Sequence, residues 1–189
     1  MQKISTIFER DGQTRGVTDQ FSPWVEGFNF EEAIATEKLD GTNVRITVRN
    51  HTLVRLEKRR NPTKLEKAKG LVEPWYVDAS EFEAGDKYMW EAAQNTDLSS
   101  IEDGEWSAEA LGPKIQGNPL NLEKHILFLF SVPSEVAKVV FDDAPHTFEE
   151  LKVWLPQQRS KFGKDCGIEG LVWHHPSGKM AKIKQKDFK

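Results

Sequence analysis

The sequence predicts an α+β fold with antiparallel sheets, and three observations predict it. Residues 33–58 read as three consecutive strands joined by tight turns, one of them at Asn50-His51. Residues 167–173 and 179–184 read as two late strands closed by the turn His174-His175-Pro176-Ser177-Gly178, a hairpin. Between them, Asp78–Gln94 and the segment from Thr147 towards Pro156 carry helical signatures. The 189 residues are read as one domain with ample length for a core, residues 1–32 forming a loop-rich lead-in.

In chain order, the lead-in sets Phe8, Phe21, Trp24, Phe28 and Phe30 among Gly and polar residues, as aromatic anchors with no implied chemistry. Ala33-Ile34-Ala35 runs into Glu37-Lys38-Leu39-Asp40-Gly41-Thr42-Asn43, after which Val44-Arg45-Ile46-Thr47-Val48 alternates as a strand. The third strand, Leu53 to Lys58, continues into Arg59-Arg60-Asn61-Pro62, where proline stops it. That basic pair could hold phosphate; a surface turn is the plain alternative. Phe82, Met89, Trp90 and Ala93 are spaced as the apolar stripe of a helix with an acidic outer face, scaffold more than site. Glu105-Trp106-Ser107-Ala108-Glu109-Ala110-Leu111 precedes a Gly-Pro-rich loop from Gly112 to Pro119. The continuous apolar run Ile126 to Val132 is expected to be a buried strand. Thr147-Phe148-Glu149-Glu150 opens the second helix with acids at its positive end.

Composition narrows the class. With 38% hydrophobic and 30% charged residues, no apolar run long enough for a bilayer, and no apolar stretch near Met1, the chain reads as globular and cytoplasmic, with no membrane partner. A single cysteine, Cys166, excludes an internal disulfide and a multi-cysteine zinc site. The net charge of −4 conceals blocks: ten Lys/Arg against three Asp/Glu from Lys38 to Gly70, one against eleven from Glu73 to Glu109, and seven against three from Ser160 to Lys189. A positive face follows only if the fold joins the basic blocks; otherwise they are solvated surface.

Two places carry candidate chemistry. In Lys38-Leu39-Asp40-Gly41 a lysine stands at a strand end beside a carboxylate two residues on, a geometry that suits an aimed nucleophile; a solvated lysine before a turn is the alternative. In the late hairpin, Glu169 begins an apolar strand, where an acid is costly unless paired or liganding. Lys182 and Lys184 share one face of their strand, with Ile183 turned inward. Two neighbouring ammonium groups are easier to explain with an anion between them; a lysine-guarded edge strand is the alternative. His174-His175 sit in the turn and offer no zinc cluster.

Read together, these places resemble the covalent nucleotidyltransferase superfamily of ATP-dependent RNA and DNA ligases and mRNA capping enzymes. The superfamily's order of Lys-x-Asp-Gly, Arg-bearing turn, Glu strand, aromatic strand, Glu-Gly-apolar-apolar and Lys-x-Lys is met from Glu37 to Lys184. KLDGTN, SAEALGP and the LFLFSV strand look most like RNA ligases of the RNA ligase 2 type. The resemblance implies a nucleotidyltransferase (adenylylation) domain with antiparallel sheets flanking an ATP groove. It implies that Lys38 attacks the α-phosphate of ATP to form lysyl-AMP, Glu37 contacts adenine, and Phe130 stacks on the ring. Arg60 matches the Arg-bearing turn, with Arg59 left open at that register. Glu109 binds the ribose; Asp40, Glu109 and Glu169 hold Mg2+ (or Mn2+) mainly through water; Lys182 and Lys184 grip the α-phosphate. Nearby cations and desolvation would help make the lysine amine nucleophilic, and cations would neutralise charge at phosphorus.

The implied function is an ATP-dependent RNA ligase of RNA repair: enzyme-AMP forms, AMP passes to an RNA 5′-phosphate, and a 3′-hydroxyl displaces it. Since the chain stops five residues after Lys184, a bare catalytic core is expected, with an accessory protein in place of a C-terminal domain. The rivals are a DNA ligase or GTP-using capping enzyme on the same core, and a non-catalytic RNA-binding module.

Overall fold

The computed structural model describes residues 4–189. In chain order its strands are β1 (Ser5–Thr6), β2 (Phe8–Arg10), β3 (Val17–Phe21), β4 (Ile34–Glu37), β5 (Thr42–Arg49), β6 (Thr52–Arg60), β7 (Trp75–Asp78), β8 (Gly104–Leu111), β9 (Ile126–Leu129), β10 (Gly170–His174) and β11 (Met180–Lys184). The α-helices are α1 (Lys64–Ala68), α2 (Lys87–Gln94), α3 (Pro133–Ala137) and α4 (Phe148–Trp154). The chain divides into a terminal unit, residues 4–39 with 137–189, and a middle unit, residues 40–136. The stretch EKLDGTN is therefore shared: Glu37 and Lys38 belong to the terminal unit and Asp40 to Asn43 to the middle one. Among the described residues, no helix is long and apolar enough to cross a membrane.

In the terminal unit four strands pair in the order β1-β11-β10-β4. β10 is antiparallel to both neighbours, whereas the short β1 runs parallel to β11. Alternation sends Leu171, Trp173, Ala181 and Ile183 to the core, where they meet Ile7, Phe8, Phe28, Phe141, Leu151 and Leu155. β2 and β3 form a small separate sheet. Gly170 is dictated by strand spacing: a β-carbon there would drive into the Ile183 carbonyl and stand 2.7 Å from the Lys184 Cα.

The middle unit is a five-stranded antiparallel sheet, β7-β6-β5-β8-β9. Val44, Ile46, Val48, Leu56, Ala108, Ala110, Leu127 and Leu129 form one buried face, which α2 covers through Met89, Ala92 and Ala93. Asn50 and His51 both take left-handed φ values, 48° and 58°, the conformation that a two-residue turn between twisted strands demands. A β-carbon at Gly41 would collide with the Ala110 carbonyl and lie 2.6 Å from Leu111 Cδ2, so the glycine permits the close approach to β8.

Within this unit four of the ten bases of the first basic block are paired with acids. Arg45 pairs with Glu57 and Glu105, Arg55 with Glu57 and Asp78, Lys58 with Glu83 and Asp86, and Arg60 with Glu66. Asp78, Glu83, Asp86 and Glu105 all come from the acidic block, so the sequence's alternating charge is partly internal neutralisation.

Several sequence expectations need correction. The helix expected over Asp78–Gln94 begins only at Lys87. Asp78 closes strand β7, and Phe82 is 99% exposed instead of lying on an inward stripe. Asp86 explains the late start: its carboxylate accepts from the Ser80 backbone N–H and from Lys58, tying residues 80–86 into turns. The strand expected over Ile126–Val132 ends at Leu129. The lead-in contains three short strands, and its residues 1–3 lie outside the described residues. β11 is no edge strand, since β1 and β10 flank it. His174 belongs to strand β10 and not to the turn; burial lowers its pKa, and its Nε2 lies 3.0 Å from Thr36 Oγ1.

Candidate active site

The register of the terminal sheet brings one end of three strands together. Glu37 pairs with Leu171, and the Lys38 N–H donates to the Gly170 carbonyl at 2.9 Å. Gly170 is opposite Lys184, and the Gln185 N–H donates to the Glu169 carbonyl. Lys38, Glu169 and Lys184 therefore sit side by side. Glu169 immediately precedes β10 instead of beginning it.

Their side chains form a cation–carboxylate–cation cluster. Lys38 Nζ donates to Glu169 Oε2 at 2.6 Å, and Lys184 Nζ lies 2.6 Å from Glu169 Oε1. Side-chain exposures are 20%, 12% and 20% for Lys38, Glu169 and Lys184, so water reaches the group without dominating it. Burial by itself pushes the Glu169 carboxyl up, but the ammonium groups of Lys38 and Lys184 outweigh it and hold the carboxyl below its ordinary value. Lys182 shares the Lys184 face of β11, with the fully buried Ile183 between them.

Glu37 faces other partners. It is buried and accepts a 2.6 Å bond from Ser160 Oγ and a 2.8 Å bond from the Lys161 N–H. Burial raises its pKa, and these donors only partly offset that. Ser160 Oγ in turn accepts from the N–H groups of Phe162 and Gly163, and the loop closes through the Ser160 N–H to the Cys166 carbonyl. Lys161 Nζ bonds the Val140 carbonyl and lies over the Phe141 ring. Ser160 and Lys161 were missed by the sequence reading: they stand more than 120 residues from Glu37, and no local pattern marks them.

The remaining expected residues lie in the middle unit. Glu109, on β8, is opposite Asn43 of β5 and Phe128 of β9. Phe130 follows β9, is 41% exposed, and meets Phe128 edge-on with ring centroids 5.6 Å apart. Asp40 is half-buried and precedes Gly41. Arg60 donates to both Glu66 oxygens at 3.1 and 3.2 Å, and its guanidinium lies 4.7 Å from the centre of the Trp75 ring. Asn43 was not singled out, yet it accepts from Tyr76 Oη at 2.7 Å and donates to Ser107 Oγ and the Ala108 carbonyl.

Two donor sets can be judged from these contacts. Lys38 and Lys184 suit phosphate, an anion that can replace or join the carboxylate between them, and Lys182 lies on the Lys184 face of β11. A metal bonded directly to Glu169 does not fit, because both of its oxygens already accept ammonium groups at 2.6 Å. Among the described residues, no group of three His, Cys, Asp or Glu side chains is arranged to hold a metal ion.

No family model and no curated protein matches the chain. Solved structures of an RNA ligase from Naegleria gruberi are similar to it. One with PPi aligns at a TM-score of 0.53 and 18% identity, over 97% of this chain and 61% of that one. A lysine-to-alanine mutant with ATP and Mn aligns at 0.57 and 17%, over 98% and 61%. A lysine-to-methionine mutant with AMP and Mn aligns at 0.54 and 18%, over 98% and 62%. This chain thus spans about three fifths of the length of those ligase chains. The likeness defines the fold: a mixed α/β chain with antiparallel sheets, similar to that of the RNA ligase structures.

Proposed function

We propose that this chain is the catalytic core of an ATP-dependent RNA ligase, working through lysyl-AMP and RNA-adenylate. The observation that carries the proposal is the placement of Lys38 against Glu169 with Lys184 on the other carboxylate oxygen, on a fold shared with RNA ligases.

In this reading Lys38 Nζ attacks the α-phosphorus of ATP in an ATP groove. A P–N bond forms, the P–O bond to the β-phosphate breaks, and pyrophosphate leaves. An ammonium group has no lone pair, so its proton must depart before or during attack. Glu169 remains ionised and orients both lysines. When phosphate enters, Lys184 and Lys182 are cations able to neutralise charge that develops at phosphorus. The reading assigns Glu37 to adenine, Phe130 to ring stacking, Glu109 to ribose and Arg60 to the Arg-bearing turn. A divalent metal, Mg2+ or Mn2+, would be met by Asp40, Glu109 and Glu169 through its water shell and would lower the charge on the phosphates. The adenylyl group then passes to an RNA 5′-phosphate, and a 3′-hydroxyl closes the strand in the cytoplasm, with or without an accessory protein.

The test is sealing of a 5′-phosphorylated nick in duplex RNA with ATP, beside the same nick in all-DNA duplex and beside GTP. ATP-dependent joining with transient RNA-adenylate on RNA strands supports the reading. Labelling by GTP would point to a capping enzyme, and equal sealing of DNA would remove the RNA preference. Tight RNA binding without any nucleotide transfer would leave a binding module.

A further inference from the structure

Lys184 is held on both sides of its strand, and on one side the holder is a side chain. Towards β10 it stands opposite Gly170, and the next N–H, that of Gln185, donates to the Glu169 carbonyl. On the other side β1 pairs with β11 through Ser5 with Ala181 and Thr6 with Lys182, and the Ile7 N–H donates to the Lys182 carbonyl at 3.0 Å. The next donor along that edge is the Lys184 N–H. By then the chain has passed into β2, which pairs with β3 in a separate sheet, so no strand receives it.

Asp187 takes the place of the missing strand. It lies in the 3-10 turn Gln185–Asp187, and its Oδ2 accepts the Lys184 N–H at 3.0 Å. Its side chain is only 5% exposed, and Oδ1 accepts from Arg10 Nη2 of β2 at 3.0 Å. The same guanidinium donates to Thr6 Oγ1 and to the Arg15 carbonyl, each at 3.2 Å, which fixes its plane. Phe188 packs its ring against Phe148 and Phe8, with centroids 5.1 and 6.4 Å apart. A buried carboxylate paired in this way adds little net stability; what it supplies is a defined geometry for the backbone it binds.

We propose that Asp187, oriented by Arg10, is a positioning residue for Lys184. By completing the sheet edge it fixes the backbone from which Lys184 Nζ reaches Glu169 Oε1, and so aims the ammonium at the point where phosphate would enter. The reaction that Lys184 serves rests on the ligase reading; the aim of its side chain does not.

The experiment compares wild type with Asp187→Ala, Asp187→Asn, Arg10→Gln and Leu151→Ala, the last thinning the core of the same unit. Circular dichroism and melting check folding. Nitrogen NMR spectra of the lysine ammonium groups, with the Lys184 signal assigned by its loss in Lys184→Arg, report whether Nζ stays ordered against Glu169. Intact mass gives the rate of AMP attachment across ATP concentration. Asp187→Ala should move the Lys184 signal towards those of solvent-exposed lysines. It should lower the limiting rate about tenfold or more and change half-saturating ATP less than about threefold, because the cation matters most as charge develops at phosphorus. Asp187→Asn keeps an oxygen for the Lys184 N–H and should recover part of both losses. Arg10 is half-exposed, so Arg10→Gln should slow the reaction only about two- to threefold. Leu151→Ala should lower the melting temperature without moving the Lys184 signal, which separates aim from stability. Should Asp187→Ala fail to fold, Asp187→Ser, too short to reach the N–H, takes its place with the same outcomes. A folded Asp187→Ala with wild-type signal and rate overturns the proposal. So does an Asp187→Asn no better than Asp187→Ala, or the same signal shift in Leu151→Ala. A displaced Lys184 signal in Asp187→Ala, with no AMP attachment by wild type, would keep the proposal and sink the ligase reading. AMP attachment at an unchanged rate with an unmoved signal would do the reverse.

Discussion

Glu169 bridges two ammonium groups with one carboxylate, and that sets its response to mutation and acid. Glu169→Gln leaves Lys38 and Lys184 adjacent without their shared anion, and should lower stability at neutral pH by about 1–3 kcal/mol. The folded carboxyl titrates below its ordinary value of 4.5. Its contribution is therefore complete above that value and is lost as the pH falls through the lowered one. Urea unfolding of wild type and Glu169→Gln between neutral and acid pH should show the two converging only in the acid range; a constant difference would contradict the ion-pair account. Glu37 carries the opposite sign. Its raised pKa means that the folded state holds the proton more tightly, so ionised Glu37 costs stability at neutral pH, and the cost is relieved as the pH falls through the raised value. Ser160→Ala removes a donor from that buried carboxylate and should cost about 1–3 kcal/mol at neutral pH. The loss should shrink in acid, and a pH-independent loss would argue that Ser160 acts through its backbone turn alone.

At the scale of elements, the site exists because β4, β10 and β11 end together. The strands themselves were legible: alternation marked β5, β6, β10 and β11, and the Asn50-His51 turn was read where two left-handed residues stand. Less legible was whatever depends on distant pairing. β7 carried no signal of its own, and the helix was begun at its last residue, Asp78, because Phe82 matched the helical stripe; only the Asp86 turn, formed with Ser80 and Lys58, shows why the helix starts late. The Glu37 loop is equally silent in sequence, since its partners are contributed by residues far along the chain. Gly170 is where element geometry is most exposed to a single change. Gly170→Ala puts a methyl group into the backbone of β11, which cannot move aside as a side chain could. It should cost about 3 kcal/mol or more, or prevent folding. Wild-type-like melting of this variant would contradict the strand spacing described.

For the whole molecule, the lesson concerns charge. The formal net charge of −4 conceals basic blocks, which make a positive face only if the fold joins them. The ion pairs of Arg45, Arg55, Lys58 and Arg60 neutralise four of the ten bases of the block from Lys38 to Gly70 inside the middle unit. RNA affinity should accordingly be modest and only weakly salt-dependent. A slope of log K against log salt of about −2 to −3 is expected, equivalent to three or four phosphates on a single strand. A slope near −7 in filter binding would mean a far broader basic surface than these pairs allow. The order of the motifs was legible from end to end. Which residues of each motif are committed to neighbours, as Arg60 is to Glu66, required the fold.

The central claim is that Lys38 becomes covalently attached to AMP. Intact mass of the purified protein after incubation with ATP and Mg2+, beside Lys38→Ala, tests it most directly. An AMP-sized gain on wild type alone, reversed by pyrophosphate, is the expected result. A folded, initially unmodified protein that gains nothing from ATP, or a Lys38→Ala variant that gains the same mass, would contradict it.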